Sequence, residues 1–176
     1  VTGGQSGADF LLSLQYNSLW VLDKVDSTPV IIGSPPTNMR SLYKTIDTLL
    51  KEGVRFIADP ILDPINFNFT ESIVRYRNLR KRYPEIEIMM GVGNLTELTH
   101  VDSAGTNVLL MGIISELDIG HILATEVSEH CRKAVKEADL ARRIMYASKE
   151  DSIPPKGYDN GLMALHERKP FPYDLS

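Results

Sequence analysis

Two polar turns carry the residues of this chain that are best suited to bind a ligand. Asp59 and Asp63 lie in the first turn, DPILDP at residues 59–64, and Asn94 closes the second, GVGN at residues 91–94. A carboxylate can accept a pair of hydrogen bonds from an amino-pyrimidine edge, and a carboxamide can read a ring nitrogen and a carbonyl. These groups together suit a flat heterocycle. The plainer interpretation is an ordinary loop, since Asp-Pro and Gly-Asn are both common turn sequences.

Each turn follows an apolar run that predicts a β-strand. The runs are Arg55–Leu62 and Glu87–Val92, and residues 70–82 between them have the apolar spacing of a helix. Consecutive apolar positions indicate strands that are buried on both faces, and hence a parallel sheet. In parallel α/β folds, ligands bind at the carboxyl ends of the strands. Neighbouring strand ends lie about 4.8 Å apart, so we expect Asp59 or Asp63 to be partly buried and Asn94 to reach the same ligand.

The alternation of strand and helix patterns continues along the chain and predicts an α/β fold with a parallel sheet. The predicted strands are at residues 8–14, 28–33, 55–62, 87–92 and 121–127. The predicted helices are at about residues 17–25, 38–52, 70–82, 107–117 and 128–148. We assign residues 1–150 to one β/α domain. Residues 151–176 lack a core-forming period and are predicted to be an arm whose aromatic residues, Leu162 and Leu165 pack on that domain.

Composition and charge exclude several classes of partner. The net charge of −4 gives no support for binding to nucleic acid or to an anionic membrane. The single cysteine, Cys131, excludes an intramolecular disulfide and is predicted to be a buried helix residue. The histidines are scattered, so a metal site is not expected. No secretory signal and no run of about 20 apolar residues is visible, and the cytoplasm is therefore the expected compartment.

The residues of both turns resemble those of the pterin-binding barrels. Residues 61–64 (ILDP) are similar to the turn after the sixth strand of dihydropteroate synthases. Residues 57–62 (IADPIL) resemble the strand that carries the pterin-binding aspartate of methyltetrahydropterin:corrinoid methyltransferases, and residues 91–94 are similar to the G-x-S-N turn of those enzymes. The amino-acid sequence around the two turns is most similar to that of the dihydropteroate synthase-related proteins of methanogens and of bacteria that use tetrahydromethanopterin.

The resemblance implies a barrel of TIM type, of which the five predicted strands would be about the last five of eight. A complete barrel needs about 250 residues. We therefore expect a partial barrel that is the C-terminal part of a longer polypeptide, or one that completes its sheet with another chain, for example in a homo-oligomer.

The resemblance also implies a set of site residues. Asp59, Asp63 and Asn94 would bind a pterin, with Asn66 and Gly93 beside them, and the pterin would be substrate or ligand rather than a cofactor. The synthases have a lysine after the ILDP turn and an Arg-x-His pair on the eighth strand, and this chain has neither at the matching positions. Lys156 and Arg168 of the arm are the candidate anion-binding residues in their place.

The activity implied is that of a transferase which joins a pterin methylene to an arylamine, in biosynthesis of the tetrahydromethanopterin or folate type. Two alternatives stay open. One is methyl transfer from a reduced methylpterin to a corrinoid protein, and the other is a pterin-binding module without catalysis.

Overall fold

The computed structural model describes residues 7–162 and shows alternating strands and helices. The strands are β1 (Phe10–Leu14), β2 (Thr28–Ile31), β3 (Ile57–Ala58), β4 (Glu87–Gly91) and β5 (His121–Leu123). The helices are α1 (Met39–Glu52), α2 (Phe69–Arg82), α3 (Gly93–Thr96), α4 (Ser103–Glu116) and α5 (Ala134–Asp151). Two 3-10 helices, Tyr16–Lys24 and Glu129–Cys131, complete the elements of this part of the chain.

All five strands are parallel, and they follow one another across the sheet in the order β1-β2-β3-β4-β5. The sheet is curled, because the rings of Phe10 on β1 and His121 on β5 lie 6.3 Å apart. Within residues 7–162, β1 and β5 each pair with one strand only and form the two edges. The predicted fold class is confirmed: parallel β/α units of TIM-barrel type form part of a barrel.

The two faces of the sheet bury alternate residues of each central strand. Side chains on the outer face join the main core under the helices, and they include Ile31, Ala58, Ile88 and Met90. Their neighbours on the inner face of the curl form a separate small cluster of Val30, Ile57 and Met89. Burial on both faces explains why the strands read as continuous apolar runs rather than as alternating patterns.

A charged network joins the amino ends of β3, β4 and β5. Glu87 accepts a hydrogen bond from Nε of Arg55 at 2.9 Å, and its other oxygen lies 2.7 Å from Nε2 of His121. These side chains are partly exposed, so each pair adds little to stability. The network lies at the end of the sheet opposite to the two polar turns and is therefore distant from the candidate site.

Helix α1 begins and ends as its sequence predicts. The side chain of Asn38 accepts a hydrogen bond from the amide of Ser41 and caps the first turn. Gly53 has a φ of 67°, a left-handed conformation that costs glycine little, and its amide bonds to carbonyls of the last turn. The buried face of the helix consists of Leu42, Thr45, Ile46 and Leu49.

All five strands are shorter in the structure than predicted, and the strands predicted over residues 55–62 and 121–127 differ most. The strand predicted over residues 55–62 is paired at Ile57–Ala58 and through the amide of Asp59, and the chain then turns away at Ile61, which has a φ of 65°. The strand predicted over residues 121–127 ends at Leu123, and the amides of Val127 and Ser128 bond to the side chain of Glu97 rather than to a strand.

The predicted start of the last helix was also wrong. A helix was expected from Ser128, whereas α5 begins at Ala134 after Lys133, which has a φ of 81°. Val135, expected on the inner face, is exposed, and Glu137, expected on the wet face, is buried. Glu137 accepts a hydrogen bond from the hydroxyl of Ser103 at 2.6 Å, and this partner allows the carboxylate to be buried.

Two further expectations concern Cys131 and the arm. Cys131 is buried, as predicted, and burial is the main cause that raises the pKa of its thiol. Leu162 packs against the core, whereas Leu165 and the aromatic residues of the arm lie outside the described residues.

No helix within residues 7–162 is long and apolar enough to cross a membrane.

Helix α4 offers a matched test of the core, because Leu110 is fully buried and its neighbour Leu109 is 58% exposed. We expect Leu110→Ala to lower the free energy of unfolding by about 2–5 kcal/mol, through lost burial and a residual cavity. Leu109→Ala should change it by less than about 0.5 kcal/mol. Denaturant unfolding of both variants checks this, and similar losses in the two would show that α4 is packed differently.

Candidate functional site

Asp59 is a buried carboxyl group at the carboxyl end of β3. Its amide donates to the carbonyl of Ile31 at 2.9 Å, which continues the ladder with β2. The side chain is only 8% exposed, and its Oδ1 accepts hydrogen bonds from the amide of Ile61 at 2.8 Å and from the hydroxyl of Tyr76 at 2.9 Å. Within the described chain, no partner reaches Oδ2. One carboxyl oxygen is therefore held by the fold, and the other makes no hydrogen bond within residues 7–162.

The environment of Asp59 acts on its charge in two directions. Burial raises the pKa of Asp59 above its ordinary value, and the hydrogen bonds from Ile61 and Tyr76 and the positive charge of Arg75 oppose that rise. Burial also raises the pKa of Tyr76 well above its ordinary value, so the Tyr76 hydroxyl stays protonated and donates. A carboxyl group of this kind loses water when the protein folds and so interacts more strongly with a hydrogen-bond donor.

Arg75 of α2 holds the DPILDP turn through several hydrogen bonds, and we call this set of contacts the Arg75 clamp. Its guanidinium donates to the carbonyl of Pro60 at 3.1 Å, to the carbonyl of Ile61 at 2.7 Å and to Oδ2 of Asp63 at 2.7 Å. The side chains of Arg75 and Asp63 are 14% and 17% exposed, so the pair is largely shielded from water. Asp63 is therefore part of the scaffold of the turn, whereas Asp59 makes no contact with Arg75 at hydrogen-bond distance.

The backbone of the same turn adopts left-handed conformations. Ile61 has a φ of 65°, which is costly for a β-branched residue and is tolerated here because both its amide and its carbonyl are bonded. Asn66 and Asn68 have φ values of 64° and 70°, in a conformation that asparagine adopts more readily than most residues. Asn66 is exposed on the turn that leads into α2.

Asn94 connects the second polar turn to the first. It lies in the short helix α3 directly after β4, and its Nδ2 donates to the carbonyl of Leu62 at 2.6 Å. The side chain is otherwise exposed, so its Oδ1 and its second N–H point to solvent or ligand. Asn94 thus supports the turn that contains Asp59 and Asp63 and still has polar atoms to spare.

A cleft of about 220 Å³ opens beside Asn94, between the ends of β4 and β5. Gly93 lines it and packs closely on the loop after β5, since a side-chain carbon at this position would lie 3.0 Å from Oγ1 of Thr125. Leu98 and Leu123 supply apolar walls. Asp59 and Asp63 do not line this cleft, so the two polar turns meet at its edge rather than inside one cavity.

Glu97 holds the loop on the other side of this cleft. Its carboxylate accepts hydrogen bonds from the hydroxyl of Thr125 at 2.7 Å, the amide of Val127 at 2.9 Å and the amide of Ser128 at 2.8 Å. The bond from Val127 is the largest of the causes that lower the pKa of Glu97 to about 2. The carboxylate is charged at neutral pH and fixes the loop that follows β5.

The structure places the predicted site residues in different parts of the fold. Asp59, Asp63 and Asn94 are brought together by direct contacts with the DPILDP turn, and Gly93 lines the adjoining cleft, whereas Asn66 stands apart on an exposed turn. Lys156 lies shortly beyond the end of α5, whose Lys149 contacts Asp118 just before β5. That is the amino end of the sheet, so Lys156 is not placed with the others. Arg168 lies outside the described residues.

Two residues of the site were missed by sequence reasoning. Arg75 could have been found, because it shares a helical stripe with the buried residues Ser72, Tyr76 and Leu79, where an arginine needs a partner. Glu97 gave no such signal, since its partners come from the loop after the next strand. Within residues 7–162, no group of three or more histidine, cysteine, aspartate or glutamate residues is placed to hold a metal ion.

No known protein family profile matches this chain. The chain is similar to an uncharacterized protein of Methanocaldococcus jannaschii, with 30% identity over 181 aligned positions. The alignment covers 93% of this chain and 34% of that protein. The chain therefore spans about a third of the length of the curated relative that it matches, and the similarity extends over nearly all of its own length.

The Arg75 clamp predicts a loss of stability when it is removed. Arg75→Gln should lower the free energy of unfolding by about 1–3 kcal/mol, because two backbone carbonyls and a shielded carboxylate lose their donor. Arg77 lies on the exposed side of the same helix, and Arg77→Gln should change the free energy by less than about 0.5 kcal/mol. Equal effects in a denaturant titration would contradict a specific role for the clamp.

Glu97 predicts a dependence of stability on pH. Its pKa is lowered from 4.5 to about 2 in the folded protein, so the unfolded chain binds a proton more readily in this range. The contribution of Glu97 is therefore fully present above about pH 5 and is lost as the pH falls towards 2. The difference in unfolding free energy between the wild type and Glu97→Gln should shrink over this window. A difference that stays constant with pH would contradict the assignment.

Proposed function

We propose that this chain is the pterin-binding part of a transferase that resembles dihydropteroate synthase, and that Asp59 and Asn94 bind the pterin ring. The observation that carries the proposal is the buried carboxyl group of Asp59 at the carboxyl end of β3, with one oxygen held by the turn and the other available. Asn94 is bonded to the same turn and supports a site with two polar groups of complementary type.

Asp59 suits the amino-pyrimidine edge of a pterin. The 2-amino group and the adjacent ring N–H are both donors, and Oδ2 of an ionised Asp59 has two lone pairs to accept them. Since Asp59 is already shielded from water, part of the desolvation cost is met when the protein folds and is not charged to binding. Protonation of Asp59 would replace an acceptor by a donor, so pterin affinity should fall as the pH falls through the raised pKa of this group.

The chemistry proposed is displacement of diphosphate from a pterin methylene by the nitrogen of an arylamine. In such a step the protein fixes the ring, orients the incoming amine and stabilises the leaving anion. The ring-binding turn, the cleft of about 220 Å³ at its side and the exposed βα loops lie at one edge of the sheet, where both reactants could meet.

Asn94 also favours a second candidate function, methyl transfer from a reduced methylpterin to a corrinoid protein. In the methyltransferases that the chain resembles, the asparagine of this turn contacts the pterin, and Asn94 has its Oδ1 free of protein partners within the described chain. The two candidates require different second substrates. Release of diphosphate on addition of an arylamine to hydroxymethyl-dihydropterin diphosphate supports the synthase, whereas methylation of a corrinoid protein by methyl-tetrahydropterin supports the methyltransferase.

The open edges at β1 and β5 support a further part of the proposal. A barrel of this type closes with eight strands, so we propose that additional strands complete it, from a longer polypeptide or from a second chain. Pterin binding by the present chain would then use the Asp59 half of a larger cavity.

The decisive variant is Asp59→Asn, measured by calorimetric titration with a dihydropterin. The asparagine Oδ1 can still accept from Ile61 and Tyr76, whereas a donor replaces the ligand-facing oxygen. Pterin affinity should fall about ten- to a hundredfold, with little change in the unfolding midpoint, because each polar contact to the ring is worth roughly 1–3 kcal/mol.

Two further variants serve as controls. Asp63→Asn should lower stability through the Arg75 pair and leave pterin affinity within about threefold. Asn94→Ala should weaken pterin binding about ten- to a hundredfold. Lowered stability with unchanged affinity would assign Asn94 to the support of Leu62 alone, and no binding of any pterin to the wild type would overturn the proposed function.

A further inference from the structure

A second cavity opens at the same edge of the sheet, next to the ends of β1 and β2. It has a volume of about 440 Å³ and lies between the loop after β1, the loop after β2 and the first turns of α1. Asp59 donates its amide to Ile31, the last residue of β2. The cavity is therefore one strand away from the Asp59 turn, at a lateral spacing of about 5 Å between neighbouring strands.

The lining of this cavity is cationic and contains no carboxylate. Arg40 and Lys44 contribute the two charges, and all the other lining residues carry a hydroxyl or a carboxamide: Tyr16, Asn17, Ser34, Asn38 and Ser41. The chain as a whole has a net charge of −4, so a cavity of this size without any acidic group departs from the average surface. Its donors are of the types that bind anions with several oxygen atoms.

The two cations are held near one another without a compensating charge. Arg40 and Lys44 are four residues apart on α1, a spacing at which like charges repel. Neither forms a salt bridge within residues 7–162. The nearest acidic residue along the helix, Asp47, accepts a hydrogen bond from the hydroxyl of Tyr83 instead. A bound anion would relieve this repulsion.

Tyr16 positions one of the cations. The ammonium of Lys44 lies 3.8 Å from the centroid of the Tyr16 ring, a favourable cation–π geometry. Ser41 is also fixed, since its hydroxyl accepts from the amide of Ser34 at 3.1 Å. The charged and polar groups therefore come from three segments that contact one another.

We propose that this cavity binds the phosphate or diphosphate group of a small-molecule ligand, with Arg40 and Lys44 as the charged contacts. The anion site stands by itself, whereas its use together with the Asp59 turn rests on the proposed function. In that case one ligand spans the edge of the sheet, with its ring at β3 and β4 and its anionic group at β2 and α1. In this placement Arg40 and Lys44 are the cations beside the anionic group. Lys156 cannot contribute there, because it lies at the opposite end of the sheet.

The test is calorimetric titration of the chain with inorganic diphosphate at low ionic strength, without any pterin. The double variant Arg40→Gln/Lys44→Gln should weaken diphosphate binding at least about tenfold, since hydrogen bonds to charged groups are among the stronger ones. Lys51→Gln/Arg77→Gln removes the same charge from exposed positions outside the cavity and should change the affinity less than about twofold. Circular dichroism and denaturant unfolding confirm that both double variants are folded.

Three results would overturn the site. The first is that the wild type does not bind diphosphate at about 5 mM, a concentration at which even a millimolar affinity would be detected. The second is an equal loss of affinity in the two double variants, and the third is that benzoate binds as tightly as diphosphate. The first two exclude a specific anion site, and the third excludes its assignment to phosphate.

The proposed function is tested by a separate measurement, the binding of a dihydropterin without phosphate. If this dihydropterin does not bind, the proposed function is overturned, whatever the diphosphate titration shows. If both sites exist and share one ligand, hydroxymethyl-dihydropterin diphosphate should bind at least about tenfold more tightly than hydroxymethyl-dihydropterin. The Arg40→Gln/Lys44→Gln variant should abolish that difference. A difference that persists in this variant would separate the two sites.

Discussion

The guanidinium of Arg75 is the contact on which the candidate site depends. It bonds to two carbonyls and one carboxylate of a single turn, and in doing so it holds the chain where β3 stops and reverses. Arg75 therefore provides one of the two hydrogen bonds that hold the left-handed Ile61, and Asp59 provides the other by accepting from the Ile61 amide. The same turn contains the carbonyl of Leu62, which accepts a hydrogen bond from the side chain of Asn94. The first polar turn therefore positions the second.

Two carboxylates of the same turn acquire different roles because their partners differ. Asp63 meets a charged donor and is neutralised within the scaffold, whereas Asp59 meets neutral donors and stays buried without a counter-ion in direct contact. A buried carboxylate with only neutral partners keeps more of its capacity to attract a donor from outside. Two carboxylates that are four positions apart in the sequence thus have different surroundings, one paired with a guanidinium and one bonded only to neutral donors.

The carboxyl edge of the sheet is built from loops that are each fixed by contacts to a neighbouring unit. Glu97, which follows β4, holds the loop after β5, and Asn94 holds the turn after β3. On the other side, Lys44 of α1 lies over Tyr16 from the loop after β1. These non-covalent contacts between successive units fix the loops at the polar edge of the sheet, above the apolar core. They also place a cationic cavity one strand away from an acidic turn.

The amino-acid sequence by itself determined the parallel α/β class, the approximate position of every strand and the identity of the two polar turns. It could do so because apolar periodicity, helix caps and turn residues are local signals that depend on near neighbours in the chain, as at Asn38 and Gly53. The tertiary structure alone decided that Glu137 is buried, that Val135 is exposed, that Asp63 belongs to Arg75 and that Glu97 holds the loop after β5. The outcomes for Glu137, Asp63 and Glu97 depend on hydrogen-bond partners 12 to 34 residues away, and no local pattern of residue types carries that information.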